Sequence, residues 1–110
     1  MRQFIKEEDV ESALHYLMNN SSEAAQNRAN RLYVEEYLKV IKATIMKENA
    51  ELALGAQERE AYADKRYAVH LQAIREATYA DEKARFDLKA AETLCEAWRS
   101  QCANERAVKI

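Results

Sequence analysis

The chain has 110 residues, of which 48% are hydrophobic and 33% are charged, and its formal net charge is −2. A near-neutral balance gives no indication of a polyanionic or membrane-surface partner, and no stretch approaches the ~20 apolar residues that span a bilayer. The sequence contains one glycine and no proline. Because these residues punctuate turns and short strands, their scarcity predicts a single all-α domain over 1–110, built from long helices.

The first predicted helix covers about 6–19. Acidic residues around Asp9 suit a helix N-terminus, and one apolar face follows at helical spacing. The segment 19–22, Asn-Asn-Ser-Ser, is expected to interrupt the helix, because these side chains bond readily to nearby backbone. Asn20 with Glu23 resembles a capping box for the next helix. The apolar face consists of Val10, Ala13, Leu14, Leu17 and Met18.

The second predicted helix covers about 22–53 and ends in a link over 54–64. Its apolar stripe is broader than a two-stranded seam, so we expect it to touch two neighbours. Gly55 fits the left-handed position that ends a helix, and Asp64 fits the N-cap of the third. Between them, 57–63 is expected to form one or two helical turns. The stripe holds Tyr33, Val34, Tyr37, Leu38, Val40, Ile41, Thr44 and Ile45.

The third predicted helix covers about 65–106 and carries a seven-residue repeat. A repeat sustained over several heptads predicts a coiled-coil-like antiparallel hairpin with the second helix, and Asp81 weakens the seam or sets its register. One seam position holds Tyr67, Ile74, Asp81, Leu88, Cys95 and Cys102. The other holds His70, Ala77, Ala84, Ala91, Trp98 and Glu105.

The two long helices have unequal predicted lengths. If the chain reverses at Gly55, Ile45 lies near Tyr67 and the last ~20 residues of the third helix have no partner on the second. Either the first helix or another subunit then covers them, and we predict a homo-oligomer, most simply a two-fold dimer. The interface candidates are Tyr67, Ile74, Leu88, Trp98 and Cys102.

The reactive side chains do not form a recognisable site. His15, His70, Cys95 and Cys102 lack the closely spaced pairs of zinc sites, and the two cysteines, ~10 Å apart along a helix, are too distant for a disulfide. No glycine-rich loop accompanies the serines. We therefore expect no enzyme activity, no catalytic residue, no metal and no cofactor. Unpaired cysteines and the lack of an apolar run in the first 20 residues predict a cytoplasmic protein without a signal peptide.

Basic side chains recur at helical spacing on the second and third helices. Near aromatic residues they could contact nucleic acid through phosphates and stacking. The alternative is ion pairing along each helix, as between Glu35 and Lys39. The slightly acidic net charge favours ion pairing. The nucleic-acid candidates are Arg28, Arg31, Lys39, Lys42, Arg99 and Arg106.

Three strings, Tyr37–Met46, Ala56–Ala61 and Glu96–Arg99, resemble segments of small, mostly uncharacterised bacteriophage proteins associated with recombination and replication gene clusters. The resemblance covers roughly 33–107 and carries no catalytic residue. It implies a phage accessory protein in the bacterial host cytoplasm. Three hypotheses follow: a non-enzymatic adaptor that binds proteins through helix faces, an oligomeric DNA-binding protein, and a structural virion component.

Overall fold

The computed structural model describes residues 5–109. Three helices make up the fold: α1 spans Glu7–Glu48, α2 spans Leu54–Ala63 and α3 spans Lys65–Lys109. No strand occurs among residues 5–109, which confirms the all-α class and the helical hairpin. Residues 5–25 with 83–109 form one compact unit, here unit 1, and Gln26–Glu82 form another, unit 2.

The predicted break at 19–22 is wrong, because α1 continues through this segment as one helix. The side-chain amide of Asn19 donates to the His15 carbonyl at 2.8 Å, and that of Asn20 donates to the Tyr16 carbonyl at 2.9 Å. Both asparagines therefore bond one helical turn back instead of capping a new helix. Asn20 and Glu23 form no capping box.

A seven-residue repeat crosses the same segment of α1 without interruption and accounts for its continuity. Every position of this repeat is buried or half-buried, which marks the inner face of the helix. Polar residues occupy three of the positions, so the repeat is harder to detect than an apolar one. Its members are Val10, Ala13, Leu17, Asn20, Ala24, Asn27, Arg31, Val34, Leu38, Ile41 and Ile45.

The repeat predicted for α3 matches the burial pattern. All twelve residues at the two predicted seam positions are buried or half-buried, and α3 continues as one helix through Asp81. The buried apolar residues of the described chain are Ala13, Ile45, Ala61, Ala77 and Ala91. Four of these five are alanines, which allow close helix approach but remove little apolar surface from water.

In unit 2, α1 and α3 run antiparallel. Arg31 of α1 contacts Asp81 of α3, and further along α1 Glu48 contacts Arg66, earlier in α3. The predicted register, with Ile45 near Tyr67, falls between these two contacts.

In unit 1, the start of α1 lies against the end of α3. The Gln101 side chain accepts from the Ile5 backbone N–H at 3.3 Å and donates to the Ile5 carbonyl at 3.0 Å. Of the two predicted ways to cover the last turns of α3, the structure shows the first helix, because the segment predicted as that helix is the start of α1 and lies against them. The homo-oligomer therefore no longer follows from unequal helix lengths, and it stays a prediction.

The predicted role of Gly55 is also wrong. Gly55 lies in the first turn of α2, no described residue has positive φ, and the reversal precedes it, between Glu48 and Leu54. The predicted helical turns over 57–63 are confirmed as part of α2. Asp64 is the N-cap of α3, since its carboxylate accepts from the Arg66 backbone N–H at 2.7 Å.

A buried ion pair links α1 to α3 within unit 2. The Arg31 guanidinium donates to Asp81 Oδ2 at 2.8 Å and also contacts Glu35 and Glu82, each at 3.1 Å. Asp81 is 0% exposed, and its second oxygen, Oδ1, is buried without a hydrogen-bond partner. A buried carboxylate without a paired cation lowers the stability of the fold, so the ion pair with Arg31 offsets the cost of burying Asp81 in the seam.

Replacement of Arg31 by Met should lower the free energy of unfolding by about 3 kcal/mol, because it leaves Asp81 buried without its cation. The double variant Arg31→Met/Asp81→Leu should recover most of that loss, since it removes both charges. Urea unfolding followed by circular dichroism measures both values. Lys39→Met is the matched control: its pair with Glu36 is largely exposed and should be worth less than about 0.5 kcal/mol. Equal losses for Arg31→Met and Lys39→Met would contradict the assignment.

Gly55→Ala should raise the unfolding free energy by roughly 0.5 kcal/mol, because alanine is the better helix former. A Cβ atom at this position meets nothing within 4 Å, so it adds no clash. Thermal melting of the variant beside the wild type checks the sign. A lower melting temperature would mean that residue 55 is not helical.

Arg66 should hold two carboxylates ionised at the junction of α2 and α3. Its hydrogen bonds lower the pKa of Glu48 and the pKa of Asp64. Because both values are depressed in the folded state, the stabilisation is present at neutral pH and is lost as the pH falls below about 4. In Arg66→Gln, carboxyl NMR titration should show both pKa values rising toward ordinary ones, whereas Lys39→Gln should leave them unchanged. Unchanged values in Arg66→Gln would refute the assignment.

Candidate interaction surface

An exposed aromatic stripe lies on α1 in unit 2, outside the seam. Tyr33, Tyr37 and Val40 follow at intervals of four and three residues, which places them along one side of the helix. Tyr33 is 65% exposed, and its ring stacks on that of Tyr37 with centroids 5.9 Å apart. The stripe is therefore ordered by contacts within the chain while its outer surface meets solvent.

The stripe continues onto α3. The Tyr37 ring lies 5.7 Å from the His70 ring, and a nitrogen of His70 bonds to the Val34 carbonyl. Because a carbonyl only accepts, that nitrogen carries a proton. Val69 beside it is 59% exposed. This hydrogen bond fixes the ring on which Tyr37 rests.

A shallow groove of about 320 Å³ opens on the same side of unit 2. It is lined by Ile41, Lys65, Arg66, Val69, His70 and Ala73. The stripe and the apolar part of this groove form one continuous surface, which we call the tyrosine face. Its members are Tyr33, Tyr37, Val40, Ile41, Val69, His70 and Ala73.

Two cations line the groove of the tyrosine face, Lys65 and Arg66, and Arg66 is paired within the chain. Arg66 donates to both carboxylate oxygens of Glu48, at 2.8 and 2.9 Å, and to both of Asp64, at 3.0 Å each. These bonds raise the pKa of Arg66 and hold its side chain in one geometry. A bidentate pair of this kind fixes orientation as well as charge.

A second exposed groove, of about 440 Å³, belongs to unit 1. Small side chains and two aspartates line it, and the Lys83 ammonium contacts Asp87 at 2.7 Å. The lining residues are Asp9, Ser12, Ala13, Tyr16, Asp87, Ala90, Ala91 and Leu94. It carries fewer large exposed apolar groups than the tyrosine face.

The five predicted interface residues all lie at seam positions of α3. Each is half-buried on the inner side of that helix, Tyr67 and Ile74 in unit 2 and the other three in unit 1: Leu88, Trp98 and Cys102. Large apolar side chains that face solvent lie elsewhere, and the tyrosine face was not among the predicted sites. The spacing of Tyr33, Tyr37 and Val40 could have indicated it once the repeat of α1 was followed through Arg31.

The six predicted nucleic-acid contacts divide into two groups. Arg31 pairs with Asp81, Lys39 pairs with Glu36, and Lys42 donates to the Tyr62 hydroxyl at 2.9 Å. The remaining three, Arg28, Arg99 and Arg106, are exposed. Three of the six candidates are thus engaged within the chain. The predicted pair of Glu35 with Lys39 does not form, because Lys39 pairs with Glu36 and Glu35 pairs with Arg31.

Histidines, cysteines and acidic residues do not converge on a metal site. Among the described residues, no group of three or more of these side chains is placed to hold an ion. Cys95 and Cys102 are unpaired and half-buried. In the same part of the chain, none of the helices combines the length and apolar character needed to cross a membrane.

No protein-family model matches this chain, and comparison with curated proteins and with solved structures gives no match either. The likeness to small bacteriophage proteins therefore stays a prediction from short sequence strings.

Proposed function

We propose that this chain is a non-enzymatic accessory or adaptor protein that acts through protein contacts on its helix faces. The observation that carries the proposal is the distribution of apolar residues. The buried apolar residues of the described chain are four alanines and Ile45, whereas Tyr33, Tyr37, Val40 and Val69 are exposed. Contiguous exposed apolar surface bordered by polar residues is typical of protein interaction sites.

The chemistry of the tyrosine face also suits protein recognition. Tyrosine offers a large rigid ring together with a hydroxyl that is hydrated before binding. Aromatic residues of this kind dominate the energetics of many protein interfaces. A role of the adaptor in phage recombination or replication is the sequence-based part of the proposal, and it rests on the resemblance alone.

DNA binding is the alternative function, and gel-shift assays with single- and double-stranded DNA at low and moderate salt test it directly. We expect no shift at either salt concentration, because Arg31, Lys39 and Lys42 are engaged within the chain. Phosphate contacts are strongest at low salt, so binding should be detected there if it occurs. A low-salt shift that Arg28→Gln or Arg99→Gln weakens would overturn the adaptor proposal.

A further inference from the structure

We propose that the tyrosine face binds the tyrosine face of a second copy of this chain, giving a two-fold dimer through unit 2. The inference rests on the proposed function, and it names the partner of that surface. The predicted interface residues on the inner side of α3 are not part of it.

The charge of the face is the first argument for a second copy. A two-fold interface places the same surface of two copies opposite each other, so a surface with an excess of unpaired charge of one sign repels its copy. Ring and aliphatic side chains make up most of the tyrosine face, and Arg66 at its border is paired with Glu48 and Asp64. Contact between two such faces therefore brings no uncompensated arginines together, and Lys65 is the one cation of the groove lining outside these ion pairs.

The apolar character of the face is the second argument. Tyr33, Tyr37, Val40 and Val69 are 65%, 41%, 48% and 59% exposed. Their burial against a second copy would add large apolar side chains to a helical pair whose own buried apolar residues are mostly alanine.

The shape of the face is the third argument. It spans one side of an antiparallel helix pair, with ridges formed by Tyr33, Tyr37 and Val40 beside the groove at Ile41 and Ala73. Ridges of one helix pair fit the groove of another, as in a four-helix bundle. The contact between two copies would thus be a bundle of two α1 and two α3 segments.

Sedimentation equilibrium of the wild type and three single variants tests the dimer. We expect the wild type to dimerise, and Tyr33→Glu and Val69→Glu each to raise the dimer dissociation constant roughly tenfold or more. Tyr79→Glu is the matched control, since Tyr79 is an exposed tyrosine of the same unit outside the tyrosine face, 69% exposed against 65% for Tyr33. Circular dichroism confirms that each variant remains helical.

Mixing experiments identify the partner surface. Tyr33→Glu and Tyr33→Lys should each associate weakly alone, yet should form a mixed dimer at low salt, because the two opposing faces then carry opposite charges instead of like ones. This recovery is expected only if the face of one copy meets the same face of another.

Three outcomes would overturn the inference. One is a wild type that stays monomeric at ~100 µM, and another is a Tyr79→Glu variant that weakens association as much as Tyr33→Glu does. The third is growth into larger species without a dimer end point, since a two-fold contact closes. None of these outcomes bears on DNA binding. The gel shift therefore tests the adaptor proposal, and sedimentation tests the dimer.

Discussion

The seven-residue repeat of α1 is the constraint on which the rest of the fold depends. It continues through Asn20, Asn27 and Arg31, and so keeps one face of the helix toward α3 in each unit. Local preferences of Asn and Ser favour a break at 19–22, but each contributes only fractions of a kcal/mol. Packing of a long helix against a neighbour outweighs them, since most helical stability in proteins comes from tertiary contacts.

Polar residues in such a seam reduce stability but restrict the ways in which two helices can align. Asp81 is fully buried, and only Arg31 at its level of α1 supplies a cation to it in unit 2. A shift of the helices by one turn would leave both charges unpaired in a poorly solvated seam. We infer that the pair selects the antiparallel register, while the surrounding alanines allow α1 and α3 to approach closely.

The sequence predicts the parts of this molecule that depend on an apolar or seven-residue pattern. The all-α class, the hairpin, the α3 seam and the Asp64 cap follow from the scarcity of glycine and proline and from side-chain spacing. Gly55 was misplaced because a glycine tolerates left-handed backbone without requiring it, and here it is an ordinary helical residue. The tyrosine face was not predicted, because polar Asn27 and Arg31 interrupt the apolar pattern that marks the inner face of α1. Without that pattern, Tyr33 and Tyr37 could not be assigned to the outer side of the helix.

Small and large apolar side chains lie in different parts of this fold. Apart from Ile45, the buried apolar residues of the described chain are alanines, whereas Tyr33, Tyr62 and Tyr79 are exposed. This distribution removes little apolar surface from water within one chain. Such an arrangement is favourable if the closely spaced helices serve mainly to present one ordered outer face. The rings of Tyr33, Tyr37 and His70 fit that role, because each contacts the next within the chain and less side-chain entropy remains to be lost on binding. The limited apolar burial between the helices and the ordered rings on the outer side are then two consequences of the same alanine-rich seam.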